Sequence, residues 1–290
     1  MKPNLRSGYI TFYKKDNKKI KISYISILLI IIVMLMLIPI LENTIFNLID
    51  YSKIDNRIKI SDIKVKIEAS NVKPELYVEE EEIEENIEPI DDGKKYVALT
   101  FDDGPGKYTK ELVDLLVKNN VKASFFMVGQ NIKNYKSSVK YAYDNGMEIC
   151  NHSQNHKNLK NLSKEDIEYE INSVDDMLEE IIGERARYYR SPGGNQNENV
   201  LNTISKPCIL WNVDTRDWES RDTQKIISKT LKEVDDGDII LMHEIYKTTL
   251  DAVEPIIIKL KEKGYNFVTV TELYKIKGVP LENGKIYYGM

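Results

Sequence analysis

The chain has 290 residues and a formal net charge of −5, enough length for one large domain or two small ones with a sizeable core. The acidic balance gives no electrostatic reason to expect a nucleic-acid partner. Its two cysteines, Cys150 and Cys208, lie in apolar-leaning stretches and read as small buried hydrophobes. A single bridge between them stays open outside the cytosol, but two cysteines are not a disulfide framework. No internal repeat is present.

In chain order, the first segment is basic: Lys2, Arg6, Lys14, Lys15, Lys18, Lys19 and Lys21 stand against Asp16 alone. Residues 24–41 then form an uncharged run dominated by isoleucine and leucine. At helical rise such a run spans about 27 Å, close to the hydrocarbon thickness of a bilayer. A secretory signal peptide is the competing reading. The run is longer than a usual signal core, however, and Glu42-Asn43-Thr44-Ile45 offers no small-x-small cleavage site. The expectation is a single-pass signal anchor at 24–41. The charge asymmetry places residues 1–23 in the cytoplasm and everything from Glu42 outside the cell membrane.

Residues 42–92 read as an extracellular stalk. Within 58–67 isoleucine and valine alternate with charged residues, the pattern of a half-buried β element. The block at 79–85, six glutamates around Ile83, resists compaction and reads as a solvated linker. Calcium binding there is the weaker alternative, because no loop glycine arranges the carboxylates around one ion.

From residue 93 to 276 short β-type runs alternate with amphipathic helical stretches. Strands are expected at 96–101, 123–128, 147–151, 187–190, 208–213, 238–242 and 267–270. Helices are expected at 109–119, 134–143, 164–182, 198–205, 223–234 and 250–263. Ser163 with Asp166 resembles a capping box, and Gly183 and Gly264 stand where helices stop. This alternation argues for a parallel α/β architecture, in which ligand chemistry gathers at the carboxyl ends of strands. Polar clusters fall at those ends: Asp102-Asp103, His152, Arg190, Asp214 to Asp217 and His243. A closed or nearly closed ring explains their convergence better than an open sheet. The segment 277–290, with Tyr287 and Tyr288, either packs on the barrel or frays.

The chain has only three histidines, each beside a strand end and near carboxylates. Asp103 with His152 and His156 makes a two-histidine, one-carboxylate set suited to catalytic zinc or non-haem iron. Asp102 is then placed to act as a general base, and His243 to protonate a leaving group, as amide hydrolysis requires. Arg190, in Arg-Ser-Pro-Gly-Gly, could hold Asp102 ionised while the Gly193 N–H faces a developing oxyanion. Asp214-Thr215-Arg216-Asp217-Trp218 offers a carboxylate to orient His243 and an aromatic wall, whereas Trp211 reads as core. Each motif alone has a bland alternative: a hydrated helix face for the histidine pair, a capping turn for the aspartates.

Taken in order, TFDDGP, HSQNH, RSPGG, DTRDW and LMH resemble the five motifs of the NodB-like polysaccharide deacetylases of carbohydrate esterase family 4, over about residues 93–275. The resemblance implies a distorted (β/α) barrel and metal-dependent removal of acetyl groups from sugars. It makes Asp102 the base, Asp103, His152 and His156 the metal ligands, and Arg190 the partner of the base. It likewise makes Asp217 the carboxylate that tunes the acid, His243 the acid, and Trp218 with Leu241 the pocket for the acetyl methyl. Two positions depart from the family pattern: Gly193 replaces an aromatic or larger side chain, and Glu244 stands where aspartate is common.

The expected function is removal of N-acetyl groups from cell-wall glycan, N-acetylglucosamine of peptidoglycan in first place because the domain is tethered just outside a membrane. Alternatives are an exopolysaccharide, N-acetylmuramic acid, chitin oligomers or O-acetyl esters on xylan. A non-catalytic tethered glycan-binding or metal-binding protein is the alternative from another class, and the intact pair Asp102 and His243 speaks against it. Zinc is the expected ion, with cobalt, nickel and iron compatible with the same ligands. Beyond the wall polysaccharide and the membrane, no protein partner is inferable.

Overall fold

The computed structural model describes residues 9–13, 19–23, 89–90 and 92–290. The expected membrane span at 24–41, the β element at 58–67 and the acidic block at 79–85 lie outside the described residues. Among the described residues no helix is long and apolar enough to cross a membrane. The chain divides into two units, 1–80 and 81–290.

In the first unit, Tyr9–Tyr13 (β1) and Lys19–Ser23 (β2) pair antiparallel, Tyr9 opposite Ser23 and Tyr13 opposite Lys19. The segments YITFY and KIKIS are rich in β-formers. The basic tail, expected only as a charged flank, therefore contains a hairpin.

In the second unit the strands are Lys95–Gly104 (β3), Ser124–Met127 (β4), Glu148–Asn151 (β5), Cys208–Ile209 (β6), Val213–Asp214 (β7), Ile239–His243 (β8), Tyr265–Phe267 (β9) and Ile286–Tyr287 (β10). Every pairing among them is parallel. The hydrogen-bonded order is β5-β4-β3-β8-β7, with β9 beside the first residues of β3. Single parallel bridges join Asn151 to Tyr189 and Tyr189 to Cys208. The irregular run 208–214 then carries the chain from β6 back to β7 without a ladder between these two among the described residues, so the strands form a distorted ring joined there by the chain alone. Such strands are apolar almost throughout because both faces are covered.

Alternation along the strands sorts the side chains. Val97, Leu99 and Phe101 of β3 join Phe125, Met127, Ile240 and Met242 in the main core beneath the helices. That core also takes Leu112, Val113 and Leu116 of helix Thr109–Lys118 (α1), and Val253, Ile256, Ile257 and Leu260 of helix Lys247–Glu262 (α7). Ala98, Phe126, Cys150, Ile209 and Ile239 form a separate cluster, on the opposite face of the same strands. Thr100 and Asp102 share the Ala98 face, as Leu241 and His243 share that of Ile239. Both cysteines are buried and free.

The remaining helices are Gly129–Asp144 (α2), Lys164–Ile182 (α3), Glu198–Thr203 (α4), Asp217–Ser220 (α5), Thr223–Glu233 (α6) and Val270–Ile276 (α8). Ser163 accepts a hydrogen bond from the Asp166 N–H at the start of α3, and Gly183 ends it at φ 84°. Several expected boundaries move. Residues 187–190 contribute bridges through Tyr189 alone, and 208–213 splits into β6 and β7. The strand expected at 267–270 ends at Phe267, because Thr269 and Glu272 form a full capping box that starts α8. The C-terminal segment packs: β10 adds to β6 and the Tyr287 ring meets Tyr274 edge-on, centroids 5.6 Å apart.

Candidate active site

The site begins with register. Across the β3–β8 ladder Asp102 lies opposite His243 and Thr100 opposite Leu241, so one pair of neighbouring strands presents a carboxylate and an imidazole on the same face. Immediately beyond, the β3–β4 register shifts between Asp102 and Gly104, and Asp103 takes φ 69°. A left-handed backbone at a non-glycine residue within a bulge is strained and re-aims its side chain. Both neighbouring aspartates thereby serve one site, although simple alternation would send them to opposite faces.

His152 follows the last residue of β5 and His156 ends the next turn at φ 52°. The turn is internally tied: Asn151 Oδ1 accepts from the Ser153 N–H, the His156 N–H donates to Ser153 Oγ, and Glu170 of α3 accepts from both the backbone and side-chain N–H of Asn155. His156 Nε2 lies 3.1 Å and His152 Nε2 3.5 Å from Asp103 Oδ1. That oxygen is buried yet makes no hydrogen bond of acceptable geometry. One atom from each of the three residues lies within 4.8 Å of the others. Three donors facing a common point with an orphaned carboxylate oxygen fit a divalent ion of the borderline type.

The protonation pattern agrees for His152 and Asp103, while His156 must give up a proton to act as a ligand. His152 Nδ1 sits 2.8 Å from the Arg190 carbonyl, which can only accept, so Nε2 keeps its lone pair. Burial pushes the His152 pKa down and favours the neutral ring. Burial works against ionised Asp103, but neighbouring His156 and the fields of His152 and His243 hold its carboxyl at about 2. The adjoining Asp103 carboxylate raises the pKa of His156.

On one side stands Asp102. Arg190, fully buried, donates from Nη1 to Asp102 Oδ1 at 2.7 Å and to Thr100 Oγ1 at 2.9 Å. Its Nε and Nη2 donate to the Ile209 and Leu210 carbonyls, and its guanidinium lies 3.9 Å from the centre of the Phe126 ring. A guanidinium saturated in this way cannot swing aside, so it orients Asp102 as well as balancing its charge.

On the other side stands His243. Asp217, fully buried, accepts from the His243 N–H at 2.7 Å, Thr249 Oγ1 at 2.7 Å and the Trp218 N–H at 2.8 Å, and its Oδ1 lies 2.8 Å from His243 Nδ1. A carboxylate partner requires a proton on Nδ1 and turns Nε2 outward. Burial would lower the His243 pKa, but the hydrogen bond to Asp217 and the charges of Asp217, Asp102 and Asp103 carry it to about 9. The ring is therefore an imidazolium at neutral pH.

The other sequence-derived positions fall around this centre. Leu241 is buried on the His243 face, while Trp218, the second residue of α5, is 43 % exposed. Gly193 has φ 65°, and its N–H donates to nothing among the described residues. Glu244 is buried under the acidic turn and hydrogen-bonds Thr109. Thr100 and Thr249 complete the Arg190 and Asp217 networks; Thr100 opens the TFDDGP motif without a role assigned to it, and Thr249, next to Thr248 at the start of α7, had no sequence signal.

The strands and this site define a parallel α/β protein with a largely buried acid–base pair beside a candidate metal site. Residues 90–207 match the polysaccharide deacetylase family. The chain is 36% identical over 191 residues to the peptidoglycan-N-acetylmuramic acid deacetylase PdaC of Bacillus subtilis, covering 66% of this chain and 41% of that one. It is 34% identical over 197 residues to a peptidoglycan-N-acetylglucosamine deacetylase of Bacillus cereus, covering 65% of this chain and 92% of that one. Among solved structures, a family 4 acetyl xylan esterase from Clostridium thermocellum in complex with a cobalt ion superposes with a TM-score of 0.64 at 32% identity, covering 68% of this chain and 99% of that chain. The chain belongs to the polysaccharide deacetylase family, while spanning less than half the length of PdaC.

Proposed function

We propose that this protein is a membrane-anchored, divalent-metal-dependent deacetylase that removes N-acetyl groups from cell-wall glycan, N-acetylglucosamine of peptidoglycan first among them. The observation that carries the reading is the pairing of Arg190-bound Asp102 with Asp217-bound His243 across one ladder, on either side of Asp103, His152 and His156. Binding a glycan or a metal needs neither the base nor the acid.

Bound to those three ligands, a divalent ion, zinc in first place, supplies Lewis-acid polarisation of the acetyl carbonyl and acidifies water. Asp102, aimed by the Arg190 guanidinium, takes the proton of the attacking water. The Gly193 N–H is available to the oxygen that gains charge. His243 Nε2 protonates the departing sugar amine, and Asp217 stabilises the imidazolium until that transfer. With its pKa raised to about 9, His243 starts protonated near neutral pH, as the acid requires.

The apolar run at 24–41 and its basic flank support anchoring with the catalytic unit outside the cell. Peptidoglycan is supported by this location and by the names of the relatives, which differ over which sugar is deacetylated. Acetate release from N-acetylglucosamine oligomers and from purified wall glycan tests the activity. The wild-type protein is expected to release acetate from both, and Asp102→Asn to lose at least about a hundredfold. Metal-replete protein that liberates no acetate from any glycan rejects the proposal. Anchoring is tested by fractionation: the full chain is expected in membranes and a chain starting at residue 42 in the soluble fraction.

A further inference from the structure

We propose that Arg221 and Tyr246 form a subsite for a carboxylate carried by the glycan, on the side of the cleft where the sugar amine departs. The inference rests on the deacetylase reading and adds a specificity determinant to it.

The segment 214–222 contains four carboxylates, and each is committed elsewhere. Asp214 accepts from the Arg216 N–H, Asp217 holds His243, Glu219 pairs with Arg216, and Asp222 caps α6 through the N–H groups of Gln224 and Lys225. Arg221, in the middle of this acidic stretch, pairs with none of them. Its Nε donates to the Trp218 carbonyl at 2.8 Å and its guanidinium carbon lies 3.4 Å from the centre of the Tyr246 ring. Its Nη atoms have no hydrogen-bond acceptor among the described residues. By contrast, Arg185 reaches Asp175, Asp176 and Glu179, and Arg190 reaches Asp102.

A stacked guanidinium with one nitrogen tied back has already lost much of its rotamer freedom. It is a pre-organised fork whose remaining donors suit a carboxylate. The backbone contributes as well: Arg221 has φ 46°, a left-handed conformation that a non-glycine residue holds at a cost. Location supplies the chemistry. The Tyr246 ring centre is 6.1 Å from that of His243, so the guanidinium is one ring away from the acid that protonates the departing amine. The sugar bearing that amine, with its substituents, must lie on this side. A neutral amino-sugar chain offers the fork only hydroxyl and amide groups, whereas wall glycan carries carboxylates on its lactyl ethers or stem peptides.

Three substrates separate the possibilities: neutral N-acetylglucosamine oligomers, wall-type oligomers with free lactyl carboxylates, and the same oligomers with a stem peptide amide-linked to the lactyl group. The wild-type protein is expected to have a higher kcat/KM on at least one carboxylated substrate than on the neutral one. Arg221→Gln should lower kcat/KM on that substrate about tenfold more than on the neutral oligomer, mainly through KM, with Arg221→Lys intermediate. The carboxylated oligomer that shows the differential names the source of the charge. Equal losses on all three substrates, or no wild-type preference, overturn the subsite. Affinity of each oligomer for Asp102→Asn protein, with Arg221 intact or replaced, reads the same differential without turnover. Failure of the deacetylase reading therefore appears as absent acetate release, and failure of the subsite as absent discrimination in binding.

Discussion

Replacing Glu244 by glutamine tests whether a neutral acid underlies the acidic turn. Glu244 is 1% exposed, one oxygen hydrogen-bonds Thr109 and the other has no partner. Burial, opposed by the Thr109 hydrogen bond and reinforced by Asp103 and Asp102, lifts its pKa from 4.5 to about 8. A carboxyl whose pKa rises on folding contributes fully below its unfolded value, and that contribution is lost as pH rises towards the folded value. At 1.36 kcal/mol per unit the full loss is ~5 kcal/mol, of which ~3 kcal/mol falls between pH 6 and 9. Glutamine has nearly the same shape and does not titrate. Urea unfolding of chelator-treated wild type and Glu244→Gln at pH 6 and pH 9 isolates the effect, since the other titrating groups are common to both. The variant is expected to gain ~3 kcal/mol relative to wild type across that interval. Parallel pH dependence of the two proteins refutes a protonated Glu244.

His152→Ala or His156→Ala should lose metal and activity together, whereas His243→Ala should keep its metal and lose turnover by at least about a hundredfold; elemental analysis beside acetate release decides, and metal loss from His243→Ala would show that its role is misassigned. Gly104→Ala is expected to displace the acidic turn, because an added Cβ would sit 1.5 Å from Glu244 Oε1; the expected cost is ~1–3 kcal/mol of stability with weakened metal binding, and unchanged metal affinity would contradict the packing argument.

The reactive groups were legible because strand ends show clearly in sequence: an apolar run stops and a polar residue follows, as at Phe101-Asp102 and Met242-His243. The ring was harder to read. It passes through Tyr189, a single bridging residue, too short to leave a periodic pattern, and the 208–214 run bends between its two pairings. Residues 267–270 carried two signals, an apolar strand and a Thr-x-x-Glu cap, and the cap won from Thr269 onward. Arg221 escaped notice for a different reason. Its significance lies in what its acidic neighbours are doing, and those commitments exist only in three dimensions. The alternating β-formers of the N-terminal hairpin were visible too, but they were read only for their lysines.

The opposition of Asp102 and His243 on adjacent hydrogen-bonded strands has a consequence for how such a protein can diverge. Neighbouring strands sit at a nearly constant spacing, so the distance between Asp102 and His243, the proposed base and acid, belongs to the ladder and is insensitive to changes in the surrounding loops. The segments carrying Gly193, Trp218 and Arg221 can therefore be exchanged to suit another polymer without retuning the reaction. A one-residue slip of β8 against β3, by contrast, would turn His243 to the far face and silence every substrate at once.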